Sequence, residues 1–274
     1  MLFRSTANSP LVIDADYESE GDGTLTVVGT KVVTSNKSDV TITAWDVDMA
    51  GSLTAGTMTI SVHGSKVSQT IGFGGSTGNH MHIEAEEVRR MSASNGLRIG
   101  DASDSSITVN GVLNADSLYV YPLVTLIAQS DDASITFAST SSTFHTLAAQ
   151  ADNGVVVQVD VTATTGSLYM DGDYENSSSA DGNNDVQFAD GVTVSAETLM
   201  TLESTTGTLV PAAKLTLVAG SGLVILNDMT TTTANSPLVI DTDYESEGDG
   251  TLTVVGTKVV TSNKSDVTIT AWDV

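Results

Sequence analysis

The chain has no cysteine among its 274 residues, which excludes disulfides and thiolate metal sites. Four prolines are too few for a polyproline or collagen-like rod. Aromatic residues make up 5%, sparse for a sandwich built on Trp or Tyr anchors. Lys and Arg number 10 against 34 acids, a formal net charge of −24. A surface this negative repels phosphate backbones and anionic lipid heads, so neither nucleic acid nor a membrane is an expected partner. No apolar run approaches the about 20 residues of a membrane span. Met1–Thr6 is too short for a signal peptide.

Apolar residues reach 40%, enough to build a core rather than a disordered polyelectrolyte. Short segments such as "SDVTITAWDV", "SSITVNGVL" and "GVVVQVDVTA" alternate apolar residues with Thr, Ser or Gln. Gly, Asn or Asp separates most of them at intervals of about ten residues. This reads as all-β structure with many turns. The exception is Ile83–Met91, where a short helical turn with Glu86 and Arg90 at i, i+4 is expected.

Two repeats are superposed. Residues 7–47 return at 234–274 with one change, Ala15 to Thr242, an offset of 227 residues. Within that period, Leu11–Asp16 resembles Met81–Glu86, Leu168–Asp173 and Leu238–Asp243, at spacings of 70, 87 and 70. Fixed-period self-similarity marks solenoids, propellers or tandem arrays. Variable unit length and short strands with small or β-branched inward residues favour a parallel β-solenoid over an array of sandwiches. The expectation is one continuous solenoid over 1–274, with about three coils per degenerate unit of roughly 75 residues and about nine per long repeat. Residues 7–233 make one full repeat and 234–274 begin the next. Ile13, Leu25, Val27, Ile42, Ile60 and Ile107 should face inward.

Gln69–Leu113 carries a resemblance. Thr70-Ile-Gly72, Ala85–Met91, Leu97-Arg-Ile-Gly-Asp101 and Ile107-Thr-Val109 resemble repeats of very large bacterial adhesins of the filamentous-haemagglutinin type. Similar repeats occur in giant surface proteins of algae and other protists. The match covers about a sixth of the chain, and Val88 stands where that family usually has Leu. The resemblance implies a right-handed parallel β-helix that projects a stiff rod from a cell.

Asp14, Asp16, Glu18, Glu20 and Asp22 form an acid cluster suited to calcium, which takes several carboxylate and carbonyl oxygens. It recurs at Asp241, Asp243, Glu245, Glu247 and Asp249, with a variant at Asp171, Asp173, Glu175 and Asp181. Alternating acids on a strand are equally a solvated face, and the cluster lacks the Gly and Glu spacing of an EF-hand. On that plain reading the acids from Asp14 to Asp22 lie exposed along one edge. His80 and His82 would share a strand face, but two imidazoles do not fill a tetrahedral site. Asn36, Asn176 and Asn263 begin glycosylation sequons. No nucleophile motif occurs, and the most distinctive residues are duplicated whereas an active site is usually single, so no enzyme is expected.

The resulting expectation is a structural segment of a long extracellular filament or cell-surface rod, with no required cofactor. Its partners would be itself, by end-to-end continuation or polymerisation, and glycans. The alternative is a calcium-dependent adhesin. A polysaccharide-acting β-helix enzyme stands third.

Overall fold

The computed structural model describes residues 3–4, 9–176 and 182–274. Among them are 31 short strands and one four-residue helix. Every strand pairing is parallel. The chain winds as stacked coils around three faces, and the strands alternate inward and outward.

The first coil holds β1 (Phe3–Arg4), β2 (Leu11–Asp14) and β3 (Thr24–Val27). The second holds β4 (Val32–Thr34), β5 (Val40–Ala44) and β6 (Asp46–Met49), and the third β7 (Ser52–Gly56), β8 (Ile60–Gly64) and β9 (Ile71–Gly74). An excursion follows, of β10 (Met81–Ile83) and α1 (Ala85–Val88). The fourth coil is β11 (Met91–Ala93), β12 (Leu97–Ile99) and β13 (Ile107–Asn110). The fifth has only β14 (Val124–Ala128) and β15 (Ile135–Phe137). The sixth is β16 (Ser142–Phe144), β17 (Leu147–Ala151) and β18 (Val155–Val157); the seventh β19 (Val161–Ala163), β20 (Leu168–Asp171) and β21 (Val186–Phe188). The eighth is β22 (Val192–Ala196), β23 (Leu199–Glu203) and β24 (Leu209–Pro211); the ninth β25 (Leu215–Ala219), β26 (Gly222–Ile225) and β27 (Met229–Thr230). The tenth is β28 (Leu238–Asp241), β29 (Thr251–Val254) and β30 (Val260–Thr261), and β31 (Val267–Thr270) opens an eleventh.

The second face is one unbroken sheet of ten strands, β2 to β29. The first face is interrupted. Its four-stranded and six-stranded sheets are joined across residues 112–120 by Ala93 N–H to Tyr119 O (2.8 Å) and Thr143 N–H to Val112 O (2.7 Å). On the third face, β10 turns back to pair with β9 and lies beside β6, so the two-stranded and nine-stranded sheets meet there.

The alternation sets the core. In β5, Val40, Ile42 and Ala44 are fully buried while Thr41 and Thr43 are half-buried on the outside. β-branched residues suit this pleated, half-buried surface. Val27, Ile42, Ile60 and Ile107 are buried, and Ile13 and Leu25 are half-buried at the edge of the stack with Leu25 packed on the core. The core is not poor in aromatics: Phe73, Phe137, Phe144 and Phe188 are among its largest fully buried side chains. Glycine is required where the turn within a coil folds closely back on itself. A Cβ on Gly23 would lie 2.1 Å from Ala15 O, and one on its repeat partner Gly250 would lie 1.7 Å from Thr242 O.

The two copies of the long repeat fold alike but on different faces. Leu11–Asp14 lies on the second face as β2, and Leu238–Asp241 on the first as β28. β3, β4 and β5 correspond to β29, β30 and β31, each moved back by one face. Nine coil steps along the ten-stranded sheet separate β2 from β29, and β28 precedes β29 by one face. The 227-residue repeat therefore spans eight and two-thirds coils, against about nine read from the sequence. In each copy the Trp packs against a glycine of the preceding coil, Trp45 on Gly21 and Trp272 on Gly248.

The helical turn is present as α1, but its ion pair is Arg89 with Glu86, at i, i+3. Arg90 instead donates to Met49 O at 3.0 Å. A single helical turn is too short to align the i, i+4 pair that the sequence suggested. Among the described residues no helix is long and apolar enough to cross a membrane.

Candidate functional site

Each coil passes from the second face to the third through a corner, and polar side chains turn inward there. Asp16, Gln69, Asp104, Asp152, Asp173 and Ser204 are all buried at this corner. They hold turn amides that would otherwise be buried without partners. Asp104 accepts from Gly64 N–H at 2.9 and 3.1 Å, and Asp152 from Asp132 N–H at 2.9 Å. Asp173 accepts from Thr206 N–H at 2.6 Å, and Ser204 N–H donates to Asn227 Oδ1 at 2.8 Å. Gln69 spans two coils: Oε1 accepts from Ser65 N–H at 3.0 Å, and Nε2 donates to the carbonyls of Ala44 and Trp45.

Two clusters of metal-ligating groups sit on this corner. In the first, Asp16, Glu18 and Asp22 each offer a carboxylate oxygen, all within 4.8 Å of one another. Asp16 is not on an exposed edge as the strand reading implied; β2 stops at Asp14 and Asp16 enters the turn, only 1% exposed. Its Oδ2 accepts from Ser65 Oγ at 2.5 Å and from Gly21 N–H at 3.0 Å. The Ser65 hydroxyl is the main cause that holds the Asp16 carboxyl below its ordinary range, against the opposing effect of burial. Asp16 Oδ1 has no hydrogen-bond partner. Asp14 and Glu20 are exposed and lie outside the cluster: Asp14 Oδ1 accepts from Asp16 N–H, and the Glu20 carbonyl accepts from Lys66 Nζ.

The second copy differs. Both oxygens of Asp243 face Gly248 N–H at 3.2 Å, and Asp241 Oδ1 accepts from Asp243 N–H at 3.3 Å. Glu245, Glu247 and Asp249 do not join Asp243 in a cluster among the described residues. In the variant, Asp171 is buried too. Its Oδ1 accepts from Asp173 N–H at 3.0 Å and its Oδ2 from the Tyr169 hydroxyl at 3.0 Å. Burial pushes the Asp171 carboxyl up. Asp173 Oδ1, like Asp16 Oδ1, has no partner, Glu175 is exposed, and Asp181 lies outside the described residues.

The second cluster joins His63, Asp101 and Asp104, whose ligand atoms also lie within 4.8 Å of one another. His63 ends the outward row of β8, and β12 pairs beside it with Ile99 opposite Val62. Coil stacking thus brings together residues about forty positions apart, a distance with no sequence motif. A coil length of that size, read between β8 and β12, is the signal that would have found it. His80 and His82 belong to neither cluster. His80 stacks on Trp45 with ring centroids 4.8 Å apart, and His82 N–H donates to Asp46 Oδ1 at 2.9 Å.

Among the sequons, Asn36 and Asn176 are exposed and Asn263 is half-buried. Asn263 Nδ2, the atom a glycan would occupy, donates to Thr232 O at 2.9 Å. Asn176 Nδ2 donates to Tyr174 O, and its sequon serine, Ser178, lies outside the described residues. The Gly-rich loop after β9 borders an open hollow of about 700 Å³, lined also by His82, Glu84, Glu86 and Asn110.

No family model matches the chain, and comparison with curated proteins and with solved structures gives no match either.

Proposed function

We propose that the chain is a segment of a long structural rod, made of tandem β-solenoid repeats and displayed outside the cell. One observation carries this reading. A 41-residue sequence folds twice with the same strand register and the same stacking of Trp on glycine, yet on faces one position apart. A unit that fits more than one face extends a rod without special joints, and solenoid stability grows by adding neighbours. The resemblance to adhesins of the filamentous-haemagglutinin type supports the surface location, and the exposed Asn36 suits a glycan-bearing surface. The high negative charge keeps neighbouring rods apart. The reading assigns no catalytic role; its partners are further copies of the repeat, and glycans. Proteins with one, two and three copies of the 227-residue repeat test it by electron microscopy. Each added copy should lengthen the particle by roughly 42 Å, from about 4.8 Å per coil. Particles that stay compact, or lengthen irregularly, sink the reading.

A second reading, that calcium stiffens this rod, is favoured by the unpartnered Oδ1 of the buried Asp16 beside Glu18 and Asp22. Calcium accepts oxygen ligands at about 2.3–2.6 Å and tolerates irregular geometry. Titration calorimetry should find one calcium ion per chain. Asp16→Asn should weaken it about tenfold or more, while Asp243→Asn leaves it unchanged. Equal effects of the two substitutions, or no saturable heat, count against the cluster.

A further inference from the structure

The His63 cluster is chemically different from the acidic turn. Its donors are one imidazole and two carboxylates on adjacent coils. Asp104 is fully buried, and the Gly64 N–H lies 2.9 and 3.1 Å from its two oxygens. No Lys or Arg compensates it: among the described residues the ion pairs are His63 with Asp101 and Arg89 with Glu86 and Asp116. A buried carboxylate without a countercharge is costly. Gly64 leaves the room for it, since a Cβ there would lie 2.2 Å from Asp104 Oδ1.

We propose that His63, Asp101 and Asp104 bind one divalent transition-metal ion of the zinc type. His63 Nδ1 lies 3.4 Å from Asp101 Oδ2 and 3.0 Å from the Gly64 carbonyl. Zinc takes imidazole nitrogen and carboxylate oxygen at about 2.0–2.2 Å in a tetrahedron, whose edges are then about 3.3–3.6 Å. The observed separation of imidazole and carboxylate is such an edge. Imidazole in the donor set selects zinc over calcium, which takes oxygen alone. The outer shell is also in place. His63 Nε2 lies 3.2 Å from Thr43 Oγ1. On binding, the neutral imidazole would give Nδ1 to the metal and keep its proton on Nε2, donating to Thr43 and fixing the ring. The ion would clamp the third coil to the fourth, and this inference stands independently of the rod reading.

Titration calorimetry of the whole chain with Zn²⁺, after chelator treatment, tests it. One ion per chain is expected. His63→Gln and Asp101→Asn should each weaken binding about tenfold or more. Asp101 Oδ1 accepts from Ser103 N–H, Ser103 Oγ and Asp104 N–H, and an Asn Oδ1 can do the same, so this variant should keep the fold, which circular dichroism checks. The double variant His80→Gln/His82→Gln should bind as the parent does. Absent binding, binding unchanged in both His63→Gln and Asp101→Asn, or binding lost in the His80/His82 variant overturns the proposal.

Discussion

Replacing Phe137 with alanine should lower the unfolding free energy by about 3–5 kcal/mol, the usual cost of emptying a large aromatic site in a core. Phe137 is fully buried on β15. Along this inward row the ladder reads Phe73, Val109, Phe137, Val157, Phe188, large and small in alternation. Such interdigitation leaves no side chain able to swing into the vacated space, because the valines above and below are stiff at χ1. Each coil contacts only its neighbours, so the damage stays local. Phe137→Leu should lose much less. Urea unfolding of the three proteins measures the series. A loss below about 1 kcal/mol for the alanine variant would show that the row is not a packed core.

The second large effect is on pH dependence. Glu87 is 7% exposed, and burial raises its carboxyl from 4.5 to about 7, against the lowering effect of hydrogen bonds from the backbone N–H groups of Glu84 and Met49. The folded chain therefore holds this proton at pH values where the unfolded chain has released it. Stability from this group is fully present below about pH 4.5 and is lost as pH rises through 7. At about 1.4 kcal/mol per unit, the change is on the order of 3 kcal/mol. Glu87→Gln cannot titrate, and its carbonyl can still accept from Met49 N–H. Between pH 5 and 8 the parent should lose more stability than the variant, by that amount. The remaining charge acts on both proteins alike, so the difference between their urea midpoints isolates Glu87. Parallel curves would contradict the assignment.

The strands were legible because alternation is a local property: Val40, Ile42 and Ala44 declare their side of the sheet by themselves. Which face a strand occupies is not local. Leu11–Asp14 and Leu238–Asp241 have one sequence and two faces, so only the count of coils between them decides. The acids at alternate positions read as a solvated strand face because nothing in them shows that β2 ends at Asp14. The turn beyond is set by backbone geometry, with Ser19 in the left-handed region at φ 57°, and by Ser65 reaching across from the third coil. The His63 cluster was invisible for a related reason. Its members meet only after two coils have stacked, and the helix and excursion between β9 and β11 hide the period.

The fold of the two copies also bears on how such a chain could gain or lose length. The genetic period and the coil period are out of step by one face. In a tandem array, duplication or deletion of one 227-residue unit would rotate everything distal to it by a third of a revolution. Any mark carried once per unit, such as the turn at Asp16 or the outgrowth at α1, would trace a screw around the filament and return to its starting side only after three units. Copies would then never present one continuous stripe to a neighbouring filament, and a lateral contact made by one unit would be turned away in the next.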